Sequence, residues 1–158
     1  MLSVEAGGCK RCRGQILERK VVTLRQDDFL KGQLVLECWR QGCMHGNHQV
    51  PVIILGCLAN RQKLGWGNFL EILKGVPKFS ATLELPNRDK FPDIWNPNFV
   101  RLLHAVDSVY DGSMPDPAFG GVFWATLPNV DNPWFIEKVL NNPVHSVCAN
   151  QGPFTVFR

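Results

Sequence analysis

The run Val50–Ala59, VPVIILGCLA, constrains this chain more than any other stretch. Wound as a helix it is apolar on nearly every side, so it must be covered all round. It is about half as long as the roughly 20 residues that a membrane-crossing helix needs. The expectation is therefore a helix central to a globular core, with Pro51 tolerated in its first turn, and no membrane span. A chain of 158 residues is long enough to bury one such core. The apolar share of 45% and charged share of 20% are those of an ordinary globular protein, which excludes disorder over most of the length.

The other elements arrange themselves around that helix. Asp27-Asp28 offers an N-cap before FLKGQLVLECWRQ, where Leu30, Leu34 and Cys38 recur on one side of a helix and Glu37 lies beside the stripe. GWGNFLEILKGVP reads as a short helix closed by Gly75 and Pro77, and residues 78–96 as an irregular loop. PNFVRLLHAVDSVYDG is the clearest helix, with a stripe of Phe99, Leu102, Leu103, Val106 and Tyr110 and Gly112 at its end. SMPDPAFGG is turn chemistry, GVFWATL a strand, NPWFIEKVLNN a short helix and FTVFR a closing strand. The fold class expected is α+β, mainly helical, with a small C-terminal β element. Residues 1–27, rich in Gly, Lys and Arg, read as a cysteine-containing arm; residues 28–158 read as the domain.

Cysteine placement leaves a question open. The six cysteines are too scattered for a disulfide scaffold. Cys57 falls in the apolar run and Cys148 stands alone. Cys9 and Cys12, followed by Gly14, have the spacing of a zinc-knuckle half, with Cys38 and Cys43 as the matching pair. If Cys38 is helical, however, Cys43 would lie about 140° around the axis from it. His45 and His48 are possible substitutes. A structural zinc, plain thiols and a disulfide all fit these spacings.

Glu37 admits a second chemistry. Cleavage of a glycosidic bond needs a general acid held beside the leaving oxygen in a partly apolar setting. Glu37 is a carboxylate near the end of an apolar helix, with Leu36 and Trp39 beside it and the glycine-containing loop GCMHGNH after it. Five tryptophans and one tyrosine are available as platforms for sugar rings, and Trp66 and Trp124 look least like core residues. Taken alone, a glutamate on a helix is more often a solvated residue and a tryptophan more often a core anchor.

From Glu37 onward the chain resembles the cell wall hydrolases of the spore-cortex-lytic (SleB-like) type. The resemblance rests on the helix with Glu37, the apolar helix ending LANRQ, the segment VPKFSAT, and FVRLLHAVDSVYDGSMPDPAFGGVFWATL with its Asp116-Pro117 and Gly120-Gly121. The order of these short motifs extends over residues 28–158. It implies a lysozyme-like, transglycosylase-like domain with Glu37 as the catalytic acid. Asn60 and Arg61 then buttress a groove lined by Ser80, Tyr110 and Trp124. The chain departs from the family where a second acidic residue usually follows four positions after the first, since that position is Gln41.

The implied activity is cleavage of peptidoglycan by a lytic transglycosylase or muramidase, as in a phage endolysin or virion-associated lysin. A lone acid suits the transglycosylase scheme. Glu37 gives its proton to the leaving oxygen, then takes the proton of the muramoyl C6 hydroxyl as that oxygen closes a 1,6-anhydro ring. No cofactor is required. Asp116 is a possible second carboxylate, though Asp-Pro more often fixes a turn.

The N-terminal residues MLSVEAGGCKRCRG lack the apolar core of a secretory signal, so the expectation is synthesis in a bacterial host's cytoplasm. Action at the wall then needs a pore-forming partner such as a holin, or carriage among virion proteins. Two alternatives belong to other classes. One is a non-catalytic wall-binding or virion structural module on the same fold. The other is a zinc-ribbon protein that contacts nucleic acid, which KRCRG and RK near the N-terminus support and the lack of a long basic stripe argues against; the mild net charge of +3 suits an anionic polymer but is no nucleic-acid signature by itself.

Overall fold

A computed structural model of the chain describes residues 26–42, 49–74 and 95–158. In chain order the elements are α1 (Gln26–Gly42), α2 (Gln49–Lys63), α3 (Phe69–Lys74), α4 (Pro97–Tyr110) and β1 (Phe123–Thr126). A short helical turn, α5 (Pro133–Phe135), then runs into a wider π-type turn over Ile136–Leu140, and the strands β2 (Val147–Gln151) and β3 (Phe154–Phe157) close the chain. The architecture is mixed α+β, mostly helical, with one small C-terminal sheet.

The apolar run is the central helix that its lack of a polar face requires. Every residue of α2 from Val50 to Arg61 except Val52 is buried. Helices α1, α3 and α4 all pack against it, and α1 also packs against α4. An ion pair joins α1 to α4 at their exposed edge, Lys31 Nζ to Asp107 Oδ1 at 2.7 Å. Among the described residues, no helix is long and apolar enough to cross a membrane.

Helix ends follow local chemistry. In α4 the Asn96 side chain accepts a hydrogen bond from Asn98 N at 2.9 Å, and Pro97 occupies the first position, where no N–H is needed. Gly112 takes φ +77° just past its end. The buried stripe of α4 is Phe99, Leu102, Ala105, Val106 and Val109, whereas Leu103 is exposed. Leu103 is one residue, about 100°, out of line with that stripe. Helix α1 begins at Gln26, ahead of the expected cap, so Asp27 and Asp28 lie inside the helix and not at its cap. The N-terminal arm expected over residues 1–27 otherwise lies outside the described residues.

The sheet has the order β1-β3-β2 and is antiparallel throughout. Phe123 pairs with Phe157 and Thr126 with Phe154 on one side of β3, and Gln151 pairs with Phe154 on the other. A register shift between Val147 and Ala149 accommodates Cys148. All four residues of β3 are buried, because the sheet is covered on both faces. Phe154 and Val156 join the core built by the helices. Phe157 points the other way, into a satellite cluster with Val122, Phe123 and Val139.

Gly121 shows how tightly sheet and helices meet. A Cβ there would lie 2.1 Å from Val156 Cγ1 and 2.9 Å from the carbonyl oxygen of Ala118. No other residue type fits without moving the backbone.

Candidate functional site

Glu37 sits in the last turns of α1 and is fully buried. Its Oε1 accepts hydrogen bonds from two neighbours on the same helix. Arg40 donates from Nε at 3.2 Å and also from Nη2, forming an ion pair. Gln41 donates from Nε2 at 3.0 Å. Residues three and four positions along a helix share a face, so this arrangement follows directly from the spacing. Gln41 then bridges to the sheet, its Oε1 accepting the indole N–H of Trp124 at 3.1 Å. The position where the resembled family usually places a second acid thus holds an amide linking Glu37 to Trp124. That link uses both ends of the amide, as donor and as acceptor, which a carboxylate could not do while ionised.

Trp124 opens onto a second feature. The guanidinium of Arg61, at the end of α2, lies 4.9 Å from the Trp124 ring, 5.4 Å from Trp66 and 5.6 Å from Phe123. Its Nε donates to the carbonyl oxygen of Val122 at 2.7 Å. Burial pushes the Arg61 pKa down to about 10. Trp66 is about half exposed and packs against Phe123 with ring centroids 5.5 Å apart.

Asn60, beside Arg61, anchors the turn that precedes β1. Its Nδ2 donates to Asp116 Oδ2 at 2.8 Å and to the carbonyl oxygen of Gly121 at 3.0 Å. Asp116 holds the rest of the turn, accepting from Ala118 N at 2.8 Å on Oδ1 and from Gly120 N at 2.6 Å on Oδ2. Asp116 is therefore engaged by three donors that shape the backbone around Phe119, which has φ +50°. Asp116→Ala is expected to cost roughly 2–4 kcal/mol, since it takes the acceptor from one N–H of the buried Asn60 amide and from two backbone N–H groups. Asp116→Asn should cost nearly as much. Whichever way the new amide lies, its NH2 faces a donor. Thermal unfolding of the two variants checks this, and a near-neutral Asp116→Asn would show that the carboxylate does not hold the turn.

The structure thus brings Glu37, Trp124 and Asn60 into one connected region through Gln41 and Arg61. Tyr110 lies in other company. It stacks on Phe69 with centroids 4.9 Å apart, and Lys31 Nζ lies 5.0 Å above its ring. Ser80 lies outside the described residues.

Of the cysteines offered as metal ligands, Cys9, Cys12 and Cys43 also lie outside the described residues. Cys38 is fully buried in the helical core, and burial together with the neighbouring Glu37 charge raises its thiol well above the usual range. Cys38, Cys57 and Cys148 are free thiols. Among the described residues no group of three or more His, Cys, Asp or Glu could hold a metal ion.

Sequence reasoning did not anticipate the ring cage around Arg61 or the roles of Arg40 and Gln41. The i, i+3 and i+4 spacing from Glu37 was a signal for the last two. Nothing local signals the cage, whose rings come from two separate parts of the chain.

Comparison with protein-family profiles, with curated proteins and with solved structures finds no match for this chain.

Proposed function

We propose that this chain is a peptidoglycan-cleaving protein with a lysozyme-like domain, acting on the bacterial cell wall as a lytic transglycosylase or muramidase. A phage endolysin or a virion-associated lysin is the setting that fits it. One observation carries the reading: a buried carboxylate, Glu37, lies one amide away from an aromatic wall that includes Trp124. A carboxylate this close to a flat ring can serve as the acid for a sugar's leaving oxygen once its ion pair with Arg40 is broken. The resemblance of residues 28–158 to the SleB-like hydrolases supports the same assignment.

The chemistry is then assigned as follows. Glu37 is the general acid and later the base for the muramoyl C6 hydroxyl. Gln41 orients Glu37 and Trp124 relative to each other. Because the carboxylate is fully buried, a sugar oxygen reaches it only after a partner moves. Arg40, whose side chain is 37% exposed, has the room to do so. Asn60 and Asp116 hold the turn leading into β1 and take no part in proton transfer.

A second reading, a non-catalytic wall-binding or virion structural module on this fold, is favoured by the same burial and by the ion pair with Arg40. Digestion of purified sacculi followed by mass spectrometry of the soluble fraction separates the two. Muropeptides ending in 1,6-anhydro sugar support the transglycosylase, and reducing ends support the muramidase. Sedimentation of the protein with sacculi without any release supports the binding module.

A further inference from the structure

Two tryptophans are held at the surface by backbone chemistry. Trp66 follows the end of α2. Gly65 N donates to the carbonyl oxygen of Gln62 at 3.0 Å and Trp66 N to that of Arg61 at 3.1 Å, with Gly65 at φ +80°. A helix that closes on a left-handed glycine makes this pair of bonds, and they carry the next residue back over the last turn. Trp66 accordingly lies over Arg61 and against Phe123. Trp134 is fixed by the cap of α5, where the Asn132 side chain accepts from Trp134 N at 3.1 Å, and its ring centroid lies 6.1 Å from that of Phe123. The two indoles therefore meet the same ring, and they are 48% and 54% exposed. Neither indole N–H has a partner among the described residues, whereas that of Trp124 is bonded to Gln41. Leu64, one residue before the glycine, is 63% exposed.

The charges beside this apolar face are unequal in their commitments. Arg61 and Lys63 pair with no carboxylate among the described residues. The acids that flank the two tryptophans are engaged. Glu71 Oε2 accepts from Asn68 N at 2.8 Å, Glu137 pairs with Lys138 at 2.7 Å, and Asp131 also has a partner. The face thus offers apolar area, free indole donors and unpaired cations together. An anionic lipid surface matches all three, with acyl chains for the rings and phosphate oxygens for the donors and cations.

We propose that the Trp66–Trp134 face is a docking surface for a membrane whose lipids carry anionic phosphate headgroups. Leu64 and the two indoles enter the boundary between headgroups and acyl chains, where tryptophan is enriched in proteins that meet lipid. The indole N–H groups donate to phosphate or ester oxygens. Lys63 meets the headgroups, and the Arg61 charge behind Trp66 adds to the attraction. The inference rests on this surface alone and is independent of any role for Glu37.

The test is flotation of the intact protein with vesicles made of equal parts phosphatidylglycerol and phosphatidylcholine. The expected result is protein in the vesicle fraction, with partition at least about tenfold weaker on phosphatidylcholine alone and weakened again by high salt. Trp66→Ala and Trp134→Ala should each lower the partition at least about fivefold. Leu64→Glu should do the same with an unchanged melting temperature, because its side chain is exposed and outside both core clusters. Lys63→Ala should lower it about threefold. No flotation, equal flotation on the two vesicle types, or flotation unchanged in the tryptophan and Leu64 variants would each overturn the proposal. So would a dimer in sedimentation velocity that Leu64→Glu abolishes while vesicles go unbound, since the face would then belong to a second copy of the chain.

Discussion

Glu37→Gln is expected to abolish muropeptide release from purified sacculi, with a loss of at least about 100-fold, while the protein stays folded. The substitution keeps the size of the side chain and an acceptor oxygen for Gln41 and Arg40, so the buried geometry has little reason to change. Arg40 loses its charged partner, but its part-exposed side chain can return to water. The stability change should therefore be about 1 kcal/mol, typical of one altered hydrogen bond. The proton is what disappears, because an amide neither gives nor takes one in this role. Release rates and thermal melting of wild type and variant check the two halves together. Undiminished release would remove Glu37 from the chemistry. A variant that cannot fold would make Glu37 part of the framework.

Phe154→Ala should produce the largest loss of stability, about 4 kcal/mol. Phe154 is 1% exposed and belongs to β3, which lies between the two other strands and faces the helices. Removing the ring leaves a cavity where sheet and helices join, and the flanking strands hold the backbone so that the site cannot collapse to fill it. For a domain of this size the melting temperature should fall by roughly 8–16 °C, at about 2–4 °C per kcal/mol. Calorimetry of the variant is the direct check. A fall of only a few degrees would show that the C-terminal sheet contributes little to the main core.

Helices were legible wherever their apolar pattern was internally consistent. The α2 run has no polar face, so burial on all sides was its only outcome. The α4 segment begins at Pro97 and stops before Gly112, where its pattern placed those ends, and the structure adds Asn96 as its cap. Strand β2 escaped notice because VCANQ has neither alternation nor a β-rich composition, and its burial pattern is irregular. It is a strand because β3 lies beside it to pair with. Leu103 was placed in the core stripe because it is apolar, but membership was decided by angle around the helix axis.

The candidate site divides in the same way. Glu37 was identifiable as an acid near the end of an apolar helix, and its bonds to Arg40 and Gln41 follow from helical spacing alone. Its link to Trp124 spans 83 residues, and that of Asn60 to Asp116 spans 56. By itself the sequence determined the helices, the central place of α2, and which residue types were available for chemistry, because these depend on interactions within a few turns of chain. Tertiary structure alone decided that Gln41 would bridge an acid to an indole, that Asp116 would fasten a turn, and that three rings would surround Arg61. Such contacts exist only once packing of the core has brought distant segments to within hydrogen-bonding and ring-contact distance.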